Sequence, residues 1–260
     1  MWTIRISQKP RERGPPLLIA NDSFSRKTVV NSDAGREIKH NGRRNNNLKV
    51  INRSMQFARG FLLSYGPQSV KRKFWEKEYR ENKWHFAENS ASDCIYPNLE
   101  KYAKNGAILD LGCGSGNTAN ELAESAYSSY LGVDISDEAL AKAAKRSEAN
   151  GRSRKNKFVR SDFLGFDTND KFDVILFRES MYHVPLERIK TLIDKLSPHL
   201  KPSGVFIVRL YIMRDGVIKF RPKKMIDIIA ENYPVLERNQ YGNAGAVVVV
   251  FGPRRTPAQS

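Results

Sequence analysis

The chain has 260 residues, 44 Lys and Arg against 28 Asp and Glu, a formal charge of +16 and two cysteines. At ~100–200 residues per domain this is one ordinary domain with a sizeable extension, or two very small ones, and a 40% hydrophobic content excludes wholesale disorder. Cys94 and Cys113 exclude a disulfide framework and a four-ligand zinc site, and the composition suits a reducing cytoplasm.

Residues 1–54 hold 12 Lys and Arg against 4 acids, half of the whole basic excess. They are rich in Pro and Asn and lack apolar periodicity, so they are expected to form a disordered extension. A basic nucleic-acid arm, an organellar transit peptide and a functionless leader compete as readings, and the last is favoured. From Met55 the pattern changes, and Met55 itself reads as a plausible start. A helix is predicted over 68–82, with Trp75, Tyr79 and Phe86 on one side, and a second over 93–104, entered through Asp93 and stopped at Gly106. Strands and helices then alternate: strand 107–111, helix 117–126, strand 130–133, and helix 136–149 with Ser136 as N-cap. Strands 157–160 and 172–177 follow, then a helix whose apolar stripe runs from Leu186 to Leu200. A strand over 204–210, a short helix over 225–231 and a closing hairpin, 235–241 with 246–251, complete the chain. Such alternation predicts a doubly wound α/β fold with a mostly parallel sheet covered on both faces. The longest apolar run, Val247 to Phe251, is far short of the ~20 residues of a membrane span, so no membrane partner is expected.

The sharpest signal is Ile108-Leu-Asp-Leu-Gly-Cys-Gly-Ser-Gly-Asn117, a strand running into three alternate glycines at the start of a helix. Gly112, Gly114 and Gly116 let the backbone turn tightly and approach a ligand closely. Their spacing is G-x-G-x-G, not the G-x-G-x-x-G of a dinucleotide site. Asp110 places a carboxylate on that strand, which suits a ligand carrying an ammonium and a sulfonium. Asp134 ends the second strand 18 residues after Gly116, the position from which an acid accepts from ribose hydroxyls. Asp162 follows the third strand, placed to accept from an adenine amino group while its neighbour Phe163 covers the ring.

With these residues the chain resembles the class I S-adenosylmethionine-dependent methyltransferases, from about Tyr65 to Arg254. The resemblance rests on the glycine turn, Asp134, Ser-Asp-Phe at 161–163, Phe172-Asp-Val-Ile and Leu200-Lys-Pro-Ser-Gly204. It implies a Rossmann-like seven-stranded sheet of order 3-2-1-4-5-7-6 with strand 7 antiparallel, preceded by a helical lid. It implies S-adenosyl-L-methionine as cofactor, held by Asp110, Gly112, Gly114, Gly116, Asp134 and Asp162. Ile135 would cover an adenine face, and Arg178 would offer its backbone carbonyl to the methionine ammonium. The implied layout is 55–105 as N-terminal helices and lid, 106–254 as cofactor-binding domain and 255–260 as tail.

After the fourth strand comes Phe177-Arg-Glu-Ser-Met-Tyr-His-Val-Pro185, which lacks both the N/D-P-P-Y/F turn of base-nitrogen enzymes and a Pro-Cys nucleophile. Glu179, Tyr182 and His183 are therefore the candidate catalytic residues, with His183 read either as a general base or as pocket wall. Trp75, Tyr79 and Trp84 are candidate lid and substrate residues. The segment around Trp84 looks like small-molecule methyltransferases, including the nodulation-factor N-methyltransferases. The expected acceptor is an N or O atom of a small molecule such as a sugar or amine. The alternative is an RNA or protein substrate held by the basic arm, and no metal site is expected.

Overall fold

The sheet is assembled from short apolar stretches whose alternate residues face opposite layers. The computed structural model describes residues 58–84, 92–214, 217–218, 220–242 and 245–254. The extension over 1–54 and the readings attached to it, Met55, Phe86 and the tail over 255–260 lie outside the described residues. Helix α1 covers 58–65, followed by α2 (Gln68–Arg80) and α3 (Ile95–Ala103). The sheet strands are β1 (Gly106–Leu111), β2 (Tyr127–Asp134), β3 (Asn156–Arg160), β4 (Phe172–Arg178) and β5 (Leu200–Tyr211). Helices α4 (Asn117–Glu121), α5 (Asp137–Ala149) and α6 (Ile189–Leu196) connect them. A two-stranded ribbon, β6 (Met213–Arg214) with β7 (Val217–Ile218), precedes α7 (Phe220–Asn232) and the hairpin β8 (Val235–Tyr241) and β9 (Ala246–Phe251).

The main sheet has the order β3-β2-β1-β4-β5-β9-β8. The first five strands pair in parallel, and β9 runs antiparallel to both neighbours. Setting the ribbon aside, this is the expected 3-2-1-4-5-7-6 arrangement, with helices preceding the sheet. The period-2 alternation divides the core. Leu109, Ile175, Phe177, Phe206 and Val208 face a layer containing α6 and α7, while Ile108, Val174, Leu176 and Ile207 face α3. All nine are fully buried. At the lower edge of the sheet Asp173 Oδ2 accepts from the Ala107 amide at 2.7 Å and from Lys201 Nζ at 2.6 Å. One carboxylate thus ties the beginnings of β1, β4 and β5 together.

Several boundaries differ from the sequence expectation, each for a local reason. Helix α3 stops at left-handed Lys104 and Asn105, and Gly106 already belongs to β1. The predicted 117–126 helix breaks after Glu121, because Leu122 and Ala123 are extended before a 3₁₀ turn over Glu124–Ala126. Leu200 does not continue the α6 stripe: Pro198 ends the helix in a 3₁₀ turn, and Leu200 starts β5 opposite Phe172. Helix α7 begins five residues before the predicted 225, and the ribbon was not anticipated. Ser136 caps α5 as expected, accepting from the Ala139 amide at 3.2 Å. No helix among the described residues is long and apolar enough to cross a membrane.

Helix α2 buries only Glu78 and makes little core of its own. It is fastened to the N-terminus of α5 by polar groups. Glu76 accepts from the Asp137 amide at 2.8 Å and the Glu138 amide at 3.2 Å, taking two of the donors a helix start leaves unpaired. Arg80 meets Glu138 at 3.0 Å, Arg72 meets Asp137, and Lys142 donates to the Tyr79 carbonyl at 2.7 Å.

Candidate active site

A cavity of about 1390 Å³ opens above the C-terminal ends of the parallel strands, beneath α1 and α2. Parallel α/β sheets place ligands at this edge. The volume exceeds the ~300–1000 Å³ of an ordinary single-ligand pocket, so it has room for two molecules.

One half of the cavity is built on β1 and β2. After Leu111 the chain turns through Gly112 at φ +84° and Gly114 at φ +54°, conformations that other residues rarely adopt. A Cβ on Gly112 would run into the Cβ of Ser180, so the turn can pass the loop after β4 only as glycine. A Cβ on Gly114 would meet the Tyr79 hydroxyl of α2, which lies directly over the turn. Gly116, also left-handed, precedes α4 and packs against Ala143. The Gly112 and Cys113 amides donate to the Val133 carbonyl at 2.7 and 3.1 Å, which holds the turn against β2.

Asp134 continues that attachment. Its Oδ2 accepts from the Gly114 amide at 3.0 Å and its Oδ1 from the Ser136 amide at 2.9 Å. Each oxygen keeps acceptor capacity, and the residue lines the cavity. Asp110 accepts from the Tyr130 hydroxyl at 2.5 Å through Oδ2, while its Oδ1 is buried without a partner among the described residues. Burial raises both carboxyls to about 6, opposed at Asp110 by the Tyr130 hydrogen bond and at Asp134 by the backbone amides. A buried, half-unpaired carboxylate beside a glycine cradle fits a ligand with a cationic group. Ile135, Asp162 and Phe163 line the same half. Asp162 accepts from the Leu164 amide at 2.8 Å and faces Lys71 at 3.9 Å, and Phe163 packs edge-on to Phe177.

The two halves meet at a buried ionic network around the end of β4. Arg178 and Arg209 are register neighbours on β4 and β5, and both reach Asp93, at 2.9 and 3.1 Å. Arg178 also donates to the Tyr96 hydroxyl at 3.1 Å, so its side chain points towards α3. Arg209 continues to Glu179 at 2.6 Å, and Tyr182 donates to the other Glu179 oxygen at 2.9 Å. Glu179 sits at φ +56°, an unfavourable conformation for a side-chain-bearing residue, held by its amide bond to the Arg209 carbonyl at 3.1 Å. Burial raises the Glu179 carboxyl despite the Arg209 charge, and burial with the Glu179 charge pushes the Tyr182 phenol far up.

Beyond this network the wall is aromatic. Trp75 packs on Trp84 with ring centres 5.7 Å apart and meets His183 edge-on at 5.1 Å. Tyr211 lies under the Arg209 guanidinium at 4.3 Å. Burial, then the charges of Arg221, Lys71 and Arg59, lowers His183 to about 4, so its imidazole is neutral across the physiological range. Among the described residues no group of three His, Cys, Asp or Glu converges to hold a metal ion.

All fifteen residues singled out from the sequence border this cavity, apart from Gly116, which stands behind it as the helix start. Asp93, Arg209, Tyr211 and Arg221 also line it and were not singled out. Arg209 carried a signal, a lone charge inside the otherwise apolar Gly204–Leu210 stretch. Asp93 was read only as a helix entry, a role it also has, accepting from the Ile95 amide at 3.0 Å.

Residues 108–204 match the family model described as a methyltransferase domain. The sterol 24-C-methyltransferases of Aspergillus fumigatus and Saccharomyces cerevisiae are 32% and 34% identical over 118 residues. Each match takes in 45% of this chain and 30% of the relative, so the chain spans under a third of those proteins' length. The N-methyltransferase NodS from Bradyrhizobium japonicum, solved with S-adenosyl-L-homocysteine, is similar with a TM-score of 0.56 at 21% identity. That match covers 70% of this chain and 98% of NodS, and it shows a shared fold.

Proposed function

We propose that the chain, whose residues 108–204 match a methyltransferase domain, is a class I S-adenosylmethionine-dependent methyltransferase that methylates an N or O atom of a small molecule lying against the aromatic wall. The observation that carries this reading is the single cavity whose glycine–carboxylate half and aromatic half meet at Glu179 and Tyr182. S-adenosylmethionine, when bound, supplies a sulfonium-bound methyl group as the electrophile. Asp110 would hold its cationic end and Asp134 its ribose hydroxyls, with Ile135, Asp162 and Phe163 around the base. Arg178 adds order rather than charge there, since its guanidinium is committed to Asp93 and Tyr96. The protein's own contribution is alignment of the acceptor and exclusion of water by α2.

An ammonium or hydroxyl acceptor must lose a proton. Glu179 is the favoured recipient, because burial strengthens it as a base and Arg209 and Tyr182 fix its two oxygens. Neutral His183, with a proton affinity well below the ideal near the working pH, serves as wall beside Trp75. A second reading, transfer to carbon, is supported by the relatives named as 24-C-methyltransferases. The deciding experiment is calorimetric titration with S-adenosylmethionine, followed by a labelled-methyl screen over amines, sugars, lipid alkenes and RNA. Label on an amine or hydroxyl compound supports the first reading, and label on carbon the second. Label on RNA alone would restore the substrate class expected of a basic arm.

A further inference from the structure

Arg221 enters the cavity from the first turn of α7, next to His183 and opposite the glycine turn's half. Its Nε donates to the Tyr182 carbonyl at 3.2 Å, and Nη2 donates to the Ser64 hydroxyl at 3.0 Å and the Val184 carbonyl at 2.8 Å. These acceptors are all neutral. The Nη1 group has no partner among the described residues, and no carboxylate pairs with the guanidinium. The other two cations on this side are balanced, Arg59 by Glu78 at 3.4 Å and Lys71 by Asp162 at 3.9 Å. Among the described residues Arg221 is therefore a positioned, partly buried cation with one pair of donors unpartnered and no counter-charge. A guanidinium anchored through three of its hydrogens presents the remaining two in a fixed direction, the geometry that binds a planar or tetrahedral oxyanion.

We propose that the acceptor carries an anionic group, a carboxylate or phosphate, that seats on Arg221 while its apolar body lies on the Trp75–Trp84 wall. This rests on the methyltransferase reading above and narrows its substrate class. The alternative is that Arg221 only ties α7 to the loop after β4. A structural tie would give no preference between charged and neutral ligands of one shape.

The test uses the full chain saturated with S-adenosylhomocysteine, titrated calorimetrically with 1-naphthoate, 1-naphthyl phosphate and 1-naphthylmethanol. At least one anion is expected to bind about tenfold or more tighter than the alcohol, the scale of one charged hydrogen-bonded contact. The stronger anion identifies carboxylate or phosphate as the group recognised. Arg221→Gln should erase the preference and Arg221→Lys should keep part of it, with S-adenosylhomocysteine affinity reporting that each variant is folded. If Arg221→Gln fails to fold, the wild type decides: raising NaCl from 0.05 to 0.5 M should weaken the anion by a clearly larger factor than the alcohol. Equal binding of the three probes, binding of none, a preference insensitive to salt, or one that survives in Arg221→Gln would each overturn the proposal. Failure of S-adenosylhomocysteine itself to bind would instead overturn the cofactor reading on which the proposal stands.

Discussion

Asp110 and Asp134 face one cavity with carboxyls that burial raises to about 6, so a ligand with a cation on Asp110 and hydroxyls donating to Asp134 binds best when both are ionised. Affinity for S-adenosylmethionine should therefore fall below pH 6, by about tenfold per pH unit for each proton that competes. Asp134→Ala should weaken binding at pH 8 by about 1–3 kcal/mol and flatten the acid slope, both read by calorimetry. His183 gives a second pH signature of opposite origin. Its folded value of about 4 lies below an unfolded value near 6.5, so acid favours the unfolded chain. Between pH 8 and 5 the wild type should lose about 2 kcal/mol through this one group, and His183→Gln should not; denaturant melts at the two pH values compare them. The residues that define a turn or end a strand were legible because their neighbours in sequence give them meaning. Asp93, Arg178 and Arg209 were not legible as a network, since their partners lie 85 and 116 positions away and only the sheet register brings them together.

At the level of elements, the period-2 and 3.6 patterns located every strand of the main sheet and every helix from α2 onward, because burial on one face or two writes itself into composition. Boundaries moved where a backbone device overrode the pattern: left-handed Lys104, the extended Leu122, and Pro198 before β5. The fastening of α2 left no such trace, as surface charges on a helix read the same whether they meet water or another helix. Glu76 acts there as a cap supplied from outside the helix it caps. Glu76→Ala should cost about 0.5–2 kcal/mol, confined to the α2–α5 contact. Hydrogen exchange should speed up over residues 68–80 and leave α6 unchanged, which distinguishes local release from global destabilisation.

In the whole molecule, stability and chemistry occupy opposite edges of one sheet. The lower edge is tied by Asp173, and the upper edge carries the glycine turn, the ionic network and the aromatic wall. Asp173→Ala should therefore destabilise the fold by about 1–3 kcal/mol by leaving the Ala107 amide and Lys201 without their acceptor. Affinity for S-adenosylhomocysteine should stay within about twofold, since nothing at the upper edge loses a contact. The upper edge trades differently, for it keeps Glu179 in an unfavourable backbone conformation and a carboxylate oxygen of Asp110 without a partner among the described residues.

The helix that roofs the cavity meets the aromatic wall through Trp75 but is fastened to α5 by charge pairs and a borrowed cap, and this has a kinetic consequence. Tyr79 stands over the glycine turn, so a ligand on that turn lies against α2, which Lys142 of α5 holds through the Tyr79 carbonyl. Exposed ion pairs lose strength as salt screens them, whereas apolar packing would not. Residence time of a ligand held under α2 is therefore expected to shorten as ionic strength rises. Stopped-flow release of S-adenosylhomocysteine should quicken severalfold between 0.05 and 0.5 M NaCl, and Glu76→Ala should release it fast at both.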